Sequence, residues 1–217
     1  MANMKKLLSR MLDLILPRRE RSVRTTARTF EDIPVSPASL SLDRTRITTL
    51  MDYREPIIED LIRSLKYDGS AHAASLCASA LSDFLREEIS SSKLFSEKRV
   101  LLVPVPLHKS RERERGFNQV DIVLKRLPQE FRNGDLASLA PHALARIRAT
   151  RQQTHLSRDE RIQNVKGAFA AVSQSIIKDT HIFLIDDVTT TGATLESAGK
   201  RLEAAGAKVT LIAFARA

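Results

Sequence analysis

Ile182-Phe183-Leu184-Ile185-Asp186-Asp187-Val188-Thr189-Thr190-Thr191-Gly192-Ala193-Thr194 reads as an apolar strand, then two carboxylates, then a Thr/Gly turn that opens into a helix. Ligands of open α/β sheets collect where strands end and helices begin. A turn of small and hydroxyl residues lets the first N–H groups of the next helix converge on a phosphate, and the helix dipole adds to the attraction. Gly192 permits close backbone approach, and Thr191 and Thr194 carry hydroxyls that donate. Asp186 and Asp187 would repel a phosphate, whereas their oxygens suit the hydroxyls of a sugar. These residues describe a site for ribose 5-phosphate. The plainer alternative is a strand, a turn and a Thr-capped helix with no ligand.

Working outward, strands and helices alternate along the chain. Pro56 suits a first helical turn, Ile57, Ile58, Leu61, Ile62 and Leu65 form one apolar stripe after it, and Tyr67-Asp68-Gly69 ends the helix. A second helix is expected over about 71–89. Val100-Leu101-Leu102-Val103 is a short apolar run suited to a strand buried on both faces, stopped by Pro104 and Pro106. A helix near 119–127, weaker strands around 144–148 and 168–172, the quoted strand with its helix, and a last strand over 209–214 complete the pattern. Alternation of this kind predicts an α/β fold with a mainly parallel sheet flanked by helices. In such a sheet the loops after Val103 and after Ile185 emerge at the same edge.

The first of those loops is cationic. Pro106, Leu107, His108 and Lys109 lead into Arg111-Glu112-Arg113-Glu114-Arg115-Gly116-Phe117-Asn118-Gln119. Arginine forks match phosphate oxygens, and Gly116 beside a helix start permits close contact, so the segment reads as an anion cradle. The interleaved Glu112 and Glu114 equally fit a solvated helix start with i,i+4 pairing. Further basic clusters occur at Arg146, Arg148 and Arg151 and at Arg18, Arg19, Arg21 and Arg24, the last reading as a solvated, disordered run.

The 217 residues suffice for one domain with a full core and a small appendage. Residues 4–16 carry Leu7, Leu8, Met11, Leu12, Ile15 and Leu16 at helical spacing. That helix is too short to span a bilayer, and docking on the protein's own core or on a partner is expected over membrane contact. From residue 17 to about 48 the chain is basic and lacks a sustained hydrophobic period, as in a linker or poorly ordered arm. The expected division is therefore an amphipathic helix and basic linker over 1–51 and the α/β domain over 52–217. Cys77, the single cysteine, excludes an internal disulfide and a multi-cysteine zinc site and fits a reducing, cytoplasmic compartment. It reads as a small buried helix residue. His72, His108, His142, His155 and His181 show no metal-ligand spacing. The net charge of +9 favours polyanions, meaning a pyrophosphorylated sugar, nucleic acid or an acidic membrane face. No Trp is present, which argues against an aromatic stacking platform.

The quoted stretch resembles the signature of type I phosphoribosyltransferases, which binds 5-phosphoribosyl 1-pyrophosphate (PRPP). That resemblance implies a type I phosphoribosyltransferase-like fold, with Asp186 and Asp187 on the ribose hydroxyls and Thr190, Thr191, Gly192, Ala193 and Thr194 on the 5-phosphate. Val103-Pro104-Val105-Pro106-Leu107, Arg115-Gly116-Phe117-Asn118-Gln119, Leu65-Lys66-Tyr67-Asp68-Gly69 and the segments 148–156 and 161–169 resemble the ComF family of competence-associated proteins. The resemblance covers roughly 52–217. It implies that Pro106, Leu107, His108, Lys109 and Arg115 lie on the pyrophosphate side and that 148–169 is a mobile flap. It further implies Mg2+ bound with PRPP and a link to DNA uptake, with single-stranded DNA as a second candidate partner. ComF proteins commonly carry a four-cysteine zinc module after a Leu-rich segment ending in Pro; Leu14-Ile15-Leu16-Pro17 is present here but the cysteines are not, so zinc is not expected. Purine-using relatives place an Asp before Thr-Gly where Thr190 stands, which argues against ordinary purine salvage. No general base or acceptor is assignable. A phospho-acceptor receiver domain also pairs acids at a strand end, but Thr191-Gly192-Ala193-Thr194 argues against one.

Overall fold

The computed structural model describes residues 20–42, 45–93, 98–150 and 157–217. The fold is built outward from β7 (His181–Thr189). Phe183 and Ile185 turn to one face of the sheet and Ile182 and Leu184 to the other, and all four are buried, so this strand is apolar on both sides. β7 lies between β3 (Val100–Pro104) and β8 (Lys208–Arg216), both parallel to it. β2 (Thr45–Asp52) pairs in parallel with β8, and β4 (Ser138–Leu139) with β3. β1 (Ala38–Leu42) is the antiparallel edge strand, and the order is β1-β2-β8-β7-β3-β4. The α/β architecture with a mainly parallel, helix-flanked sheet is as the sequence predicts.

Two layers cover the sheet. On one face α1 (Glu20–Thr26), α2 (Pro56–Asp68) and α3 (Ala71–Lys93) stack with α5 (Gln119–Leu124), which follows the short α4 (Lys109–Arg115). Leu61, Leu65, Leu81, Leu85, Val123, Phe183 and Phe214 are fully buried there. Each such side chain contributes roughly 1.5–3 kcal/mol on burial. On the other face lie α8 (Ala193–Ala204) and a separate antiparallel ribbon of β5 (Leu144–Arg146) and β6 (Phe169–Ala171). Between these strands comes α6 (Arg158–Val165), and α7 (Gln174–Ile177) precedes β7. The two weakly patterned strands thus exist but stand outside the main sheet.

Three expectations need correction. The expected division at residue 52 and the linker over 17–48 do not survive for the described residues: β1 and β2 belong to the main sheet, with Ile47, Leu50 and Met51 buried. Thr45, Thr48 and Thr49 interrupt the hydrophobic period there, and partner strand β8, far along the chain, supplies the pairing. Arg21 and Arg24 are not a solvated run. Arg21 makes a bidentate pair with Asp68, at 3.0 and 2.9 Å, and Arg24 another with Asp60, at 2.8 and 2.9 Å, docking α1 on α2. Lys109 to Arg115 form helix α4 rather than a loop, with His108 as N-cap and Gly116 closing it at φ 81°. The expected helix over 4–16 and residues Arg18, Arg19, Arg151 and His155 lie outside the described residues.

Candidate functional site

Parallel pairing brings the strand ends together. Pro104 pairs with Ile185, and Val105 N–H donates to the Ile185 carbonyl at 2.8 Å, so the chain leaving β3 starts beside Asp186. β7 itself runs on to Thr189, paired with Arg216, which places both acids inside the C-terminal half of the strand rather than after it. The turn at Thr190 and Thr191 then reaches Gly192, the N-cap of α8, at φ 73° and ψ −6°. That left-handed conformation favours glycine.

Alternation separates the two acids. Asp186 is half-buried and faces the β5–β6 ribbon, while Asp187 is buried on the side of α2 and α5. Asp187 Oδ2 accepts from Gln119 Nε2 at 2.7 Å and lies 3.3 Å from Lys66 Nζ. Its Oδ1 accepts from Val188 N–H at 2.7 Å, and Asp186 Oδ1 accepts from Asp187 N–H at 2.9 Å. Burial and then the neighbouring Asp187 charge push the Asp186 carboxyl up, against the pull of that N–H, Lys66 and Arg146. Burial opposes the charge on Lys66, but Asp187, Tyr67 and Asp186 outweigh it and its pKa is raised.

The cationic segment meets this edge in parts. Arg115 Nη1 donates to Gln119 Oε1 at 2.9 Å, so it stands behind Asp187, and its guanidinium lies 5.8 Å from the Tyr67 ring centroid. Asn118 caps α5 through Val120 N–H and donates to the Val105 carbonyl at 3.0 Å, tying that helix to the Pro104–Pro106 turn. His108 Nδ1 serves Ser110 at 2.8 Å as part of its cap. Pro106 and Leu107 are half-buried and Lys109 is exposed.

Residues outside the expected site also converge. Lys66 is one, reaching Asp187 from the end of α2. Arg161 on α6 donates to Thr190 Oγ1 at 2.7 Å, setting a guanidinium on the Thr/Gly turn. Arg146 on β5 stacks over Phe169 with its centre 5.3 Å from the ring centroid, and its buried Nε has no hydrogen-bond partner among the described residues. Burial and then Arg111 lower the Arg146 pKa, with Asp186 opposing. The family-like segments 65–69, 115–119 and 161–169 contain Lys66, Gln119 and Arg161; Arg146 had only its place in a basic cluster. Two surface concavities, of about 470 and 520 Å3, lie elsewhere, beside Ile147, Phe169 and Arg201 and beside Arg24, Glu59 and Arg63.

Among the described residues no group of three or more His, Cys, Asp or Glu could hold a metal ion, and no helix is long and apolar enough to cross a membrane. Hydroxyls, helix N–H groups and arginines around one acid pair fit Mg2+ arriving with substrate phosphates, as it commonly does, rather than a protein cage. Cys77 is buried, and its thiol is pushed up to about 12 by burial and then by Asp187.

The Phosphoribosyl transferase domain family matches residues 115–217, which include Gln119, Asp186, Asp187 and the Thr/Gly turn. "DNA utilization protein YhgH" of Escherichia coli is 32% identical over 164 residues, 75% of this chain and 67% of that protein. "Competence protein F" of Haemophilus influenzae is 37% identical over 106 residues, 48% of this chain and 44% of that protein. "Competence protein ComFC" of Bacillus subtilis is 32% identical over 123 residues, 57% of this chain and 46% of that protein. The chain thus spans less than half the length of two of these relatives and about two thirds of the third. With the strand, acid pair and Thr/Gly turn arranged on the predicted sheet, the chain belongs to the ComF/YhgH family and carries a phosphoribosyltransferase domain.

Proposed function

We propose that the strand-end edge binds PRPP with Mg2+ and that the protein transfers the phosphoribosyl group to an acceptor. The observation that carries this reading is the convergence, on one edge, of Asp186, Asp187, the Gly192-capped α8 and the chain leaving β3. Asp186 and Asp187 accept from the ribose 2′- and 3′-hydroxyls. The turn from Thr190 to Thr194 receives the 5-phosphate at the N-terminus of α8, with Arg161 beside it. Pro106 to Lys109 flank the pyrophosphate, and Arg115 acts from behind through Gln119. In transfer, an acceptor lone pair forms a bond to C1 while the C1–oxygen bond breaks and pyrophosphate leaves with that electron pair. Mg2+, when bound with pyrophosphate, supplies charge that offsets the leaving group. The chain's part is positioning and electrostatic stabilisation. Cytoplasmic placement accords with the single cysteine.

A second reading rests on a different observation. The relatives are named for competence and DNA utilization, and this chain carries a net charge of +9. In that reading the fold senses PRPP or handles single-stranded DNA without turnover, through basic residues such as Arg111 and Arg113 on α4. Phosphate contacts release counterions, so such binding is steeply salt-dependent. Pyrophosphate release with PRPP, Mg2+ and a panel of acceptors supports the transferase. Anisotropy of a labelled oligonucleotide that falls with salt and with added PRPP, without turnover, supports the binder. Absence of oligonucleotide binding at about 50 mM salt removes the binder.

A further inference from the structure

A carboxylate as buried as Asp187 needs fixed partners, because an uncompensated charge in the interior is strongly destabilising. Lys66 and Gln119 supply them on Oδ2, from α2 and α5. Gln119 is itself fixed by Arg115, and Arg115 lies over Tyr67, which follows Lys66 on the same helix. The brace therefore closes on itself: Lys66, Asp187, Gln119, Arg115, Tyr67. Gly69 at the end of α2 lies close against the Phe117 ring, so the same two segments also meet there. Other charged or titratable groups near the acid pair are Arg146 on β5, with Arg111 of α4 beside it, and the protonated Cys77 thiol of α3. None of these has a described hydrogen bond to Asp187.

We propose that Lys66 is a positioning residue for the acid pair, holding the Asp187 carboxylate through this brace in the orientation that ribose meets, while the half-buried Asp186 lies on the other face of β7. The proposal rests on the PRPP reading of the edge. Lysine suits the role: its flexible stem lets the ammonium reach in from the end of α2, with the side chain 29% exposed. Removing the ammonium leaves Gln119 alone on Oδ2 and strips that oxygen of its charged partner, which loosens the orientation of an acceptor of ribose hydroxyls.

Calorimetric titration of PRPP with Mg2+ into wild type, Lys66→Met, Lys66→Arg, Asp187→Asn and the Lys66→Met/Asp187→Asn double variant tests this. Lys66→Met is expected to weaken binding about tenfold, as the loss of a charge-assisted contact does. Lys66→Arg should recover most of that loss, and the double variant should bind about as weakly as Asp187→Asn alone, because Lys66 acts through that carboxylate. Should Lys66→Met fail to fold, Lys66→Gln takes its place. Three results overturn the proposal while leaving PRPP binding intact: unchanged affinity in Lys66→Met, no recovery with arginine in a folded protein, or losses that multiply in the double variant. Absence of PRPP binding by wild type overturns the site reading, and the Lys66 proposal with it.

Discussion

Gly69→Ala probes how the segment 65–69 is joined to the segment 115–119. Gly69 ends α2 at φ 58° and ψ 29°, where a side chain is strained. Left-handed backbone costs a non-glycine residue about 1–2 kcal/mol, partly offset by about 0.4–1 kcal/mol from a stiffer unfolded chain, leaving about 1 kcal/mol. A Cβ there would also lie 3.1 and 3.2 Å from Cε1 and Cζ of Phe117. That ring must shift by a few tenths of an ångström, and an overpacked contact of this kind adds about 1 kcal/mol. Gly116 is the matched control, since at φ 81° none of the described residues comes within 4 Å of its Cβ position. Gly116→Ala should therefore cost about 1 kcal/mol and Gly69→Ala about 2. At about 2–4 °C per kcal/mol for a chain of this size, thermal unfolding should show Gly69→Ala melting below Gly116→Ala by a few degrees. Equal losses would refute the Phe117 contact as a constraint, and a neutral Gly69→Ala would refute the backbone argument as well.

Two further outcomes follow from buried groups. His181, against Phe183 and bonded to Thr210, has its pKa lowered to about 4 by burial and then by Lys208 and Lys98. It stays neutral when folded while the unfolded chain takes up a proton near its ordinary 6.5, so its contribution is complete above that pH and is lost as pH falls toward 4. The loss, at most about 3 kcal/mol, should be smaller in His181→Gln; parallel unfolding curves for the two chains from pH 7 to about 4 would contradict it. Purified protein should contain far less than one zinc per chain and keep its melting temperature in chelator, because structural zinc needs several His, Cys or carboxylate ligands together and no such group of three or more occurs among the described residues. Stoichiometric zinc by elemental analysis would overturn that expectation.

The central strands were legible because β7 and β3 are apolar on both faces and end in sharply different residues. The meeting of the loops after β3 and β7 followed from parallel pairing alone. Illegible were interactions whose partners lie far apart in the chain. β2 gains its place from β8, and α1 from Asp60 and Asp68, so a local window at residues 17–48 shows scattered apolar residues among serines, threonines, arginines and prolines, without a sustained period. Within the site, the acids and the Thr/Gly turn are contiguous and could be found, whereas Lys66 reaches Asp187 across more than a hundred residues. The opposite facing of Asp186 and Asp187 follows from strand alternation because β7 continues to Thr189, beyond the end of its apolar run at Ile185.

Titration of PRPP with Mg2+ into the wild-type chain and the Asp186→Asn/Asp187→Asn double variant tests the central claim most directly. Binding to wild type at one equivalent, weakened at least tenfold, about 1.4 kcal/mol, in a double variant that remains folded, is the expected result. No binding to wild type, or unchanged affinity in the folded double variant, would contradict the assignment of this edge to the ribose of PRPP.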